Sequence, residues 1–175
     1  MNLKALGAGE NIPNDFNVVI EIPSDALPVK YEVCKDSGML LVDRFLSTAM
    51  QYPCNYGFIP STLCDDGDPA DVLVLTPHAL QPGCAVACRA IGVLEMEDEA
   101  GGDDKILAVP TDKLCPMYKD ISSIDDLPKI TLDAIGHFFE HYKDLESGKW
   151  VKVKEWHGPD RAREIIVESV NAYKD

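Results

Sequence analysis

The sequence predicts one α+β domain, mainly β: a small barrel of short strands with two C-terminal helices packed outside it. Three observations carry this. Short apolar runs with period-two alternation fill the chain to about residue 110, broken by clusters of Gly, Pro and Asp. From about Ile124 the apolar spacing changes to the three-and-four of a helix, and a second such stripe follows near the C-terminus. No repeat, low-complexity tract or linker divides the 175 residues, a length that one core accommodates, so residues 1–175 are read as a single domain.

The elements follow in order. The segment to Asp15 is turn-rich, with Gly7, Gly9 and Pro13, and is expected on the surface. Phe16, Val18, Ile20 and Ile22 alternate with Asn17, Val19 and Glu21, the pattern of a half-buried strand. In residues 29–33, Lys30 and Glu32 face away from Val29, Tyr31 and Val33. Asp36-Ser37-Gly38 then reads as a hairpin turn. Residues 39–46 form the returning strand, with Arg44 on the face of Leu40, Val42 and Leu46. Residues 52–60 are aromatic with prolines at both ends, and read as irregular. Asp71 opens a strand to Thr76, residues 84–96 form a long one with a bulge at Gly92, and residues 106–110 form another. The first helix starts near Asp125 or Asp126, buries Leu127, Ile130, Ala134, Phe138, Tyr142 and Leu145, and stops before Gly148. Residues 149–153 are one more short strand. Gly158-Pro159-Asp160 opens the second helix, with Ala162, Ile165, Ile166, Ser169, Val170 and Tyr173 inward.

A net charge of -14 and a pI of about 4.5 disfavour non-specific binding to nucleic acid or anionic membrane. No apolar run reaches the length of a membrane span, and no secretory signal opens the chain. Cys34, Cys54, Cys64, Cys84, Cys88 and Cys115 form no CxxC pair or Cys/His cluster, so free thiols in the cytoplasm are expected rather than a zinc site. Cys84 and Cys88 read as small apolar fillers on a strand.

The chemistry gathers in two acidic turns. Asp65, Asp66, Asp68 and Asp71 place four carboxylates within seven residues, punctuated by Gly67 and Pro69. Asp, Gly and Pro also build ordinary surface turns, so this stretch alone leaves both readings open. A hard divalent cation needs such a set of oxygens. Glu97 to Asp103 is a second turn of the same kind, and both would meet if their strands are neighbours. An EF-hand fails on spacing: started at Asp66, it puts Asp71 where Gly is needed and Pro77 where the bidentate Glu is needed. Lys30, Arg44, Lys105 and Lys143 lie in ordered segments, as do Tyr52, Tyr56 and Tyr142. Singly they fit solvated faces and core packing. Carboxylates for metal together with Lys, Arg and Tyr for phosphoryl oxygens make a metal-assisted phosphoryl-transfer site.

Asp66-Gly67-Asp68-Pro69-Ala70-Asp71-Val72 resembles the signature of the family I soluble inorganic pyrophosphatases. The resemblance runs from Val18-Val19-Ile20-Glu21-Ile22-Pro23 through Lys30-Tyr31-Glu32 and Val42-Asp43-Arg44-Phe45. It continues through Tyr52-Pro53-Cys54-Asn55-Tyr56-Gly57, Met96 to Lys105, and His137 to Leu145, weakening only after Trp156. It is nearest to the bacterial short-chain form, and Ala70 stands where that pattern has a larger aliphatic.

The resemblance implies a five-stranded OB-like β-barrel with flanking helices and Mg²⁺-dependent hydrolysis of inorganic pyrophosphate by a metal-bridged hydroxide. Several ions per site are implied, with Mn²⁺ or Zn²⁺ as substitutes. Asp66, Asp71, Asp98 and Asp103 match metal ligands, Asp68 the proton acceptor, and Glu21, Glu32 and Glu99 supporting carboxylates of the cavity. Lys30, Arg44, Tyr56, Lys105, Tyr142 and Lys143 match the groups that bind the two phosphates. A homohexamer is also implied, with the helix bearing His137 and His141 resembling the intersubunit surface. Two other readings stand beside this one: a non-catalytic OB-like module binding nucleic acid or buffering cations, and a hydrolase of organic pyrophosphates. The acidic charge opposes nucleic acid, and no base-stacking pocket is evident.

Overall fold

The computed structural model describes residues 2–174. After a short helix α1 (Leu3–Leu6), the strands are β1 (Phe16–Ile22), β2 (Val29–Val33), β3 (Leu40–Phe45), β4 (Asn55–Phe58), β5 (Asp71–Val74), β6 (Ala85–Asp98), β7 (Gly101–Gly102) and β8 (Lys105–Pro110). Two 3₁₀ turns precede α2 (Lys129–His141), and β9 (Val151–His157) leads into α3 (Pro159–Ala172). Strand β1 pairs with β4, β4 with β5, β5 with β8, β8 with β6, and β6 again with β1, which closes a ring of five strands. All these pairings are antiparallel except β5–β8. This is the OB-like arrangement, and it leaves the ring no open edge. β7 and β9 extend the far half of β6, while β2 and β3 form a separate hairpin. No helix among the described residues is long and apolar enough to cross a membrane.

The strand side chains divide into two apolar clusters, each closed by one helix. Phe16, Val18, Ile20, Val72, Val74, Val93 and Ile106 pack with Ala162 and Ile166 of α3. Ile22, Leu73, Ile91, Leu94, Leu107 and Val109 pack with Ile135, Phe138, Phe139 and Tyr142 at α2. α3 starts as its residues require: Gly158 is the N-cap and Pro159 takes the first turn, where a missing N–H costs nothing.

Several local expectations need correction. β1 is buried on both faces, because its second face carries Val19 into a cluster with Val33 and Phe58, backed by Leu3, Leu6 and Leu40. Part of the segment read as irregular is the fully buried β4, whose aromatics pack inward. In the β2–β3 hairpin the register passes from Lys30↔Arg44 to Tyr31↔Val42, so Asp43 is an extra residue. That bulge turns Arg44 to the side of Lys30 and Glu32 and away from Val42. The first helix begins after Pro128 and ends at His141, well before Gly148. Its buried stripe is Ile135, Phe138 and Phe139, continued by Tyr142, which turns the expected Ile130 and Ala134 outward. Leu145 is exposed because the helix ends at His141 and leaves it in the following turn. The strand expected at 149–153 instead begins at Val151 and runs on to His157, in register with β6.

Gly57 of β4 lies opposite Ile20, and a Cβ there would fall 2.0 Å from the Val19 carbonyl oxygen. Only a residue without a side chain lets β1 and β4 approach this closely. Gly57→Ala is expected to destabilise the protein by about 3 kcal/mol, as overpacking against backbone does. Urea denaturation measures it, and a wild-type midpoint would show that the strands can separate freely.

Candidate active site

Strands β5 and β8 run parallel with Asp71 beside Lys105, so the loops that feed them lie on the same rim of the ring. The first loop carries Asp66 and Asp68. It is held by Cys64 N–H donating to the Asp68 carbonyl (2.8 Å) and Gly67 N–H donating to the Cys64 carbonyl (3.0 Å). Gly67 supplies a φ of +89° that the tight turn requires. The Asp66 carboxylate accepts the Asp68 N–H at 2.9 Å, an Asx turn that shapes the loop. The second loop leaves β6 at Asp98, passes Glu99, and returns through β7, with Asp103 N–H bonded to the Met96 carbonyl at 2.9 Å. The two acidic turns therefore meet, by way of the one parallel pairing.

They line a cavity of about 250 Å³. Glu21 enters from β1, Tyr56 from β4, and Tyr142 and Lys143 from just beyond α2. Lys30, Glu32 and Arg44 enter from the hairpin. All fourteen residues expected at the site line this one cavity, although they come from segments spread over more than 120 positions of the chain. Asp65 does not; it lines a neighbouring cavity of about 220 Å³ behind the loop. Tyr52, Lys35 and Lys149 also line the first cavity and were not among the site residues drawn from the sequence. Tyr52 fits the core equally well by sequence, and its ring centroid lies 4.6 Å from that of Phe138. Lys35 sits in a turn and Lys149 ahead of a strand, where no periodicity gives a side chain its direction.

Lys105 is buried, with its Nζ 2.6 Å from Asp71 Oδ2 and also bonded to Asp103. Burial opposes its charge, but the two carboxylates outweigh that, so its pKa is raised and it stays protonated. Lys143 Nζ lies 2.7 Å from Asp98 Oδ2 and 3.6 Å from Glu99 Oε2, and Lys149 also bonds Glu99. Although burial acts against the charged forms, these ammonium groups hold Asp98 below its ordinary range and Glu99 down to about 2. Arg44 Nε is 3.3 Å from Glu146, and Lys30 is 3.2 Å from Asp43.

For other carboxyls burial outweighs the nearby cations. Burial raises Asp66, and it raises Asp103 despite Lys105. Glu21 is pushed up to about 8 by burial, with Asp71 and Glu32 adding repulsion against the stabilising Val33 N–H bond at 2.6 Å. Negative charge is thus in excess even after every lysine is counted. The surplus donors are carboxylate oxygens, with no thiol or imidazole lining the cavity. That donor set fits hard divalent cations.

The raised Glu21 has a measurable sign. The folded chain holds a proton that the unfolded chain releases near 4.5, so stability falls as pH rises from there to about 8. In chelator, Glu21→Gln is expected to exceed wild type by on the order of 2 kcal/mol at pH 8 and to match it near pH 5. Thermal melts across that range measure it; parallel curves for the two proteins would rule the effect out.

The chain matches the model of the inorganic pyrophosphatase family over residues 18–174. It is 58% identical over 173 residues to the inorganic pyrophosphatase of Xanthomonas campestris, covering 99% of this chain and 97% of that one. It is 55% identical over 174 residues to the Pseudomonas aeruginosa inorganic pyrophosphatase, covering 99% of each. Its fold is similar to that of an inorganic pyrophosphatase from Coxiella burnetii, with TM-score 0.93 and 55% identity over 96% of this chain and 99% of the other. The Thermus thermophilus inorganic pyrophosphatase gives TM-score 0.94 with 44% identity, covering 100% of both chains. With sequence, fold and family model in agreement along nearly its whole length, the chain belongs to the inorganic pyrophosphatase family.

Proposed function

We propose that the protein hydrolyses inorganic pyrophosphate to two phosphates and requires Mg²⁺ to do so. The observation that carries this reading is one small cavity in which surplus carboxylates and cationic side chains stand together. Family membership supports the substrate, since relatives of this similarity are named inorganic pyrophosphatases. Cavity size supports it too: about 250 Å³ is below the roughly 300–1,000 Å³ typical of drug-sized ligands, and suits a small anion better than a nucleotide.

Asp66, Asp71, Asp98 and Asp103 would hold the ions, with Glu21, Glu32 and Glu99 as supporting carboxylates. When bound, such ions neutralise pyrophosphate charge and acidify water at the cavity. The carboxylate-only donor set favours Mg²⁺, with Mn²⁺ a better match than Zn²⁺ as a substitute. Asp68, at the exposed end of the first loop, accepts the proton of the attacking water. Lys30, Arg44, Lys105 and Lys143 bind phosphoryl oxygens, and their fixed charges stabilise the negative charge that moves onto the leaving phosphate. Tyr56 and Tyr142 are buried, and burial raises both their pKa values, so each phenol stays protonated and can donate to a phosphate oxygen. The six unpaired cysteines support a reducing cytoplasm as the setting.

Phosphate release from pyrophosphate and from ATP, with and without Mg²⁺, tests the reading. Release from pyrophosphate with Mg²⁺ is expected, with little from ATP; none from pyrophosphate at any Mg²⁺ level would overturn it. Asp68→Asn should lose at least about 100-fold in kcat while keeping the fold, as loss of a proton acceptor does. Asp71→Ala should cost more, because Asp71 also anchors Lys105.

A homohexamer remains the proposed assembly. His137 and His141 pair on α2 with ring centroids 4.6 Å apart, and His141 Nδ1 lies 2.9 Å from Asp144, which leaves a polar face available to a second copy. Sedimentation velocity should give about six times the 19.2 kDa chain mass, and a monomer would refute it.

A further inference from the structure

Asp68, to which the proton-accepting role is assigned above, stands on a tight loop with its side chain 65% exposed. The loop fixes its backbone through Cys64 and Asp66, but neither contact touches the Asp68 carboxylate. Among the described residues, the carboxylate has one side-chain partner: Lys35, whose Nζ lies 2.6 Å from Oδ1.

Lys35 belongs to a different part of the molecule. It opens the turn that joins β2 to β3, and it lines the cavity beside Asp68. That turn is closed by Cys34 N–H donating to the Met39 carbonyl and Gly38 N–H donating to the Cys34 carbonyl, each at 2.8 Å. The hairpin shares no ladder with the five-strand ring. A backbone tie between the two is Val33 N–H donating to the Glu21 side chain at 2.6 Å. The same hairpin supplies Lys30, Glu32 and Arg44, so Lys35 links the wall that bears phosphate-binding cations to the loop that bears Asp68.

We propose that Lys35 is a positioning residue for catalysis: its ammonium holds the Asp68 carboxylate at the cavity, in register with the hairpin wall. The inference rests on the proton-acceptor reading of Asp68. An exposed ion pair contributes little to stability, so the effect belongs to turnover rather than to folding. Orientation is where such a contact counts, since a small misplacement of a reacting group costs a large factor in rate. Releasing Oδ1 leaves Asp68 free to turn away from the water it must deprotonate. Substrate binding then continues through Lys30, Arg44 and Lys143.

The test is a double-mutant cycle with Mg²⁺ and pyrophosphate. Lys35→Ala should lower kcat by about tenfold with KM within about twofold, and Lys35→Arg should restore most of the loss. In the Asp68→Asn background, Lys35→Ala should have almost no further effect, because its target is already gone. If Lys35→Ala raises KM alone, or costs the same factor in both backgrounds, Lys35 acts on substrate and the positioning role is overturned while the role of Asp68 stands. If Asp68→Asn itself keeps near wild-type kcat, the proton-acceptor reading falls and the positioning role falls with it. An unchanged kcat for Lys35→Ala overturns the proposal outright.

Discussion

The site is organised around the ammonium of Lys105, which is buried along with that of Lys143. Lys105 opens β8 beside Asp71 of the parallel strand β5, and its Nζ bonds both Asp71 and Asp103. Without it the two carboxylates would repel each other with no cation between them. Removing one member of such a buried set leaves the others uncompensated, which is far costlier than never having built it. The pairing also explains why a five-strand ring suits the chemistry. Its only parallel contact puts two loops at one rim, and an all-antiparallel meander would have sent them to opposite ends.

Around that centre the charges are arranged unevenly. Lys143 and Lys149 satisfy Asp98 and Glu99 and hold them ionised, whereas Glu21 and Asp66 remain above their ordinary values. The cavity therefore combines paired carboxylates with oxygen donors that no cationic side chain neutralises. A site whose lysines cancelled every carboxylate would have nothing left to hold a cation. One with no lysines would leave its clustered carboxylates to repel one another and would be harder to fold.

The hairpin stands outside the ring. It reaches the ring through the apolar cluster of Val33 and Leu40 with Val19 and Phe58, through the buried Glu21 side chain, and through the exposed pair of Lys35 with Asp68. It also leaves Met39, Leu41, Val42 and Phe45 exposed. Its inner surface delivers Lys30, Glu32 and Arg44 to the cavity, and the bulge at Asp43 is what turns Arg44 inward. A strict alternation would have left that guanidinium on the face of Val42.

The sequence by itself determined the class of fold and the composition of the cavity. Period-two runs are enough to mark strands, and a Pro after Gly158 is enough to start α3, because these are local preferences of a few residues. The family resemblance, carried by motifs such as 66–72, named fourteen residues that do line one cavity. Local pattern failed where a neighbour decides the outcome. Glu21 reads as the solvent side of a half-buried strand, but the hairpin and α1 cover that side. Ile130 and Leu145 fit a helical stripe, but the helix packs through Ile135, Phe138 and Phe139 and ends at His141, which leaves both exposed. β4 looks irregular because its strand is set by a close approach of Gly57 to β1, not by alternation. Only the tertiary structure decided that the two acidic turns meet, that Lys105 lies between their carboxylates, and that Lys35 reaches Asp68 from 33 positions away. Each is a contact between segments far apart in the chain, whose geometry comes from ring closure and parallel register rather than from any residue's own preference.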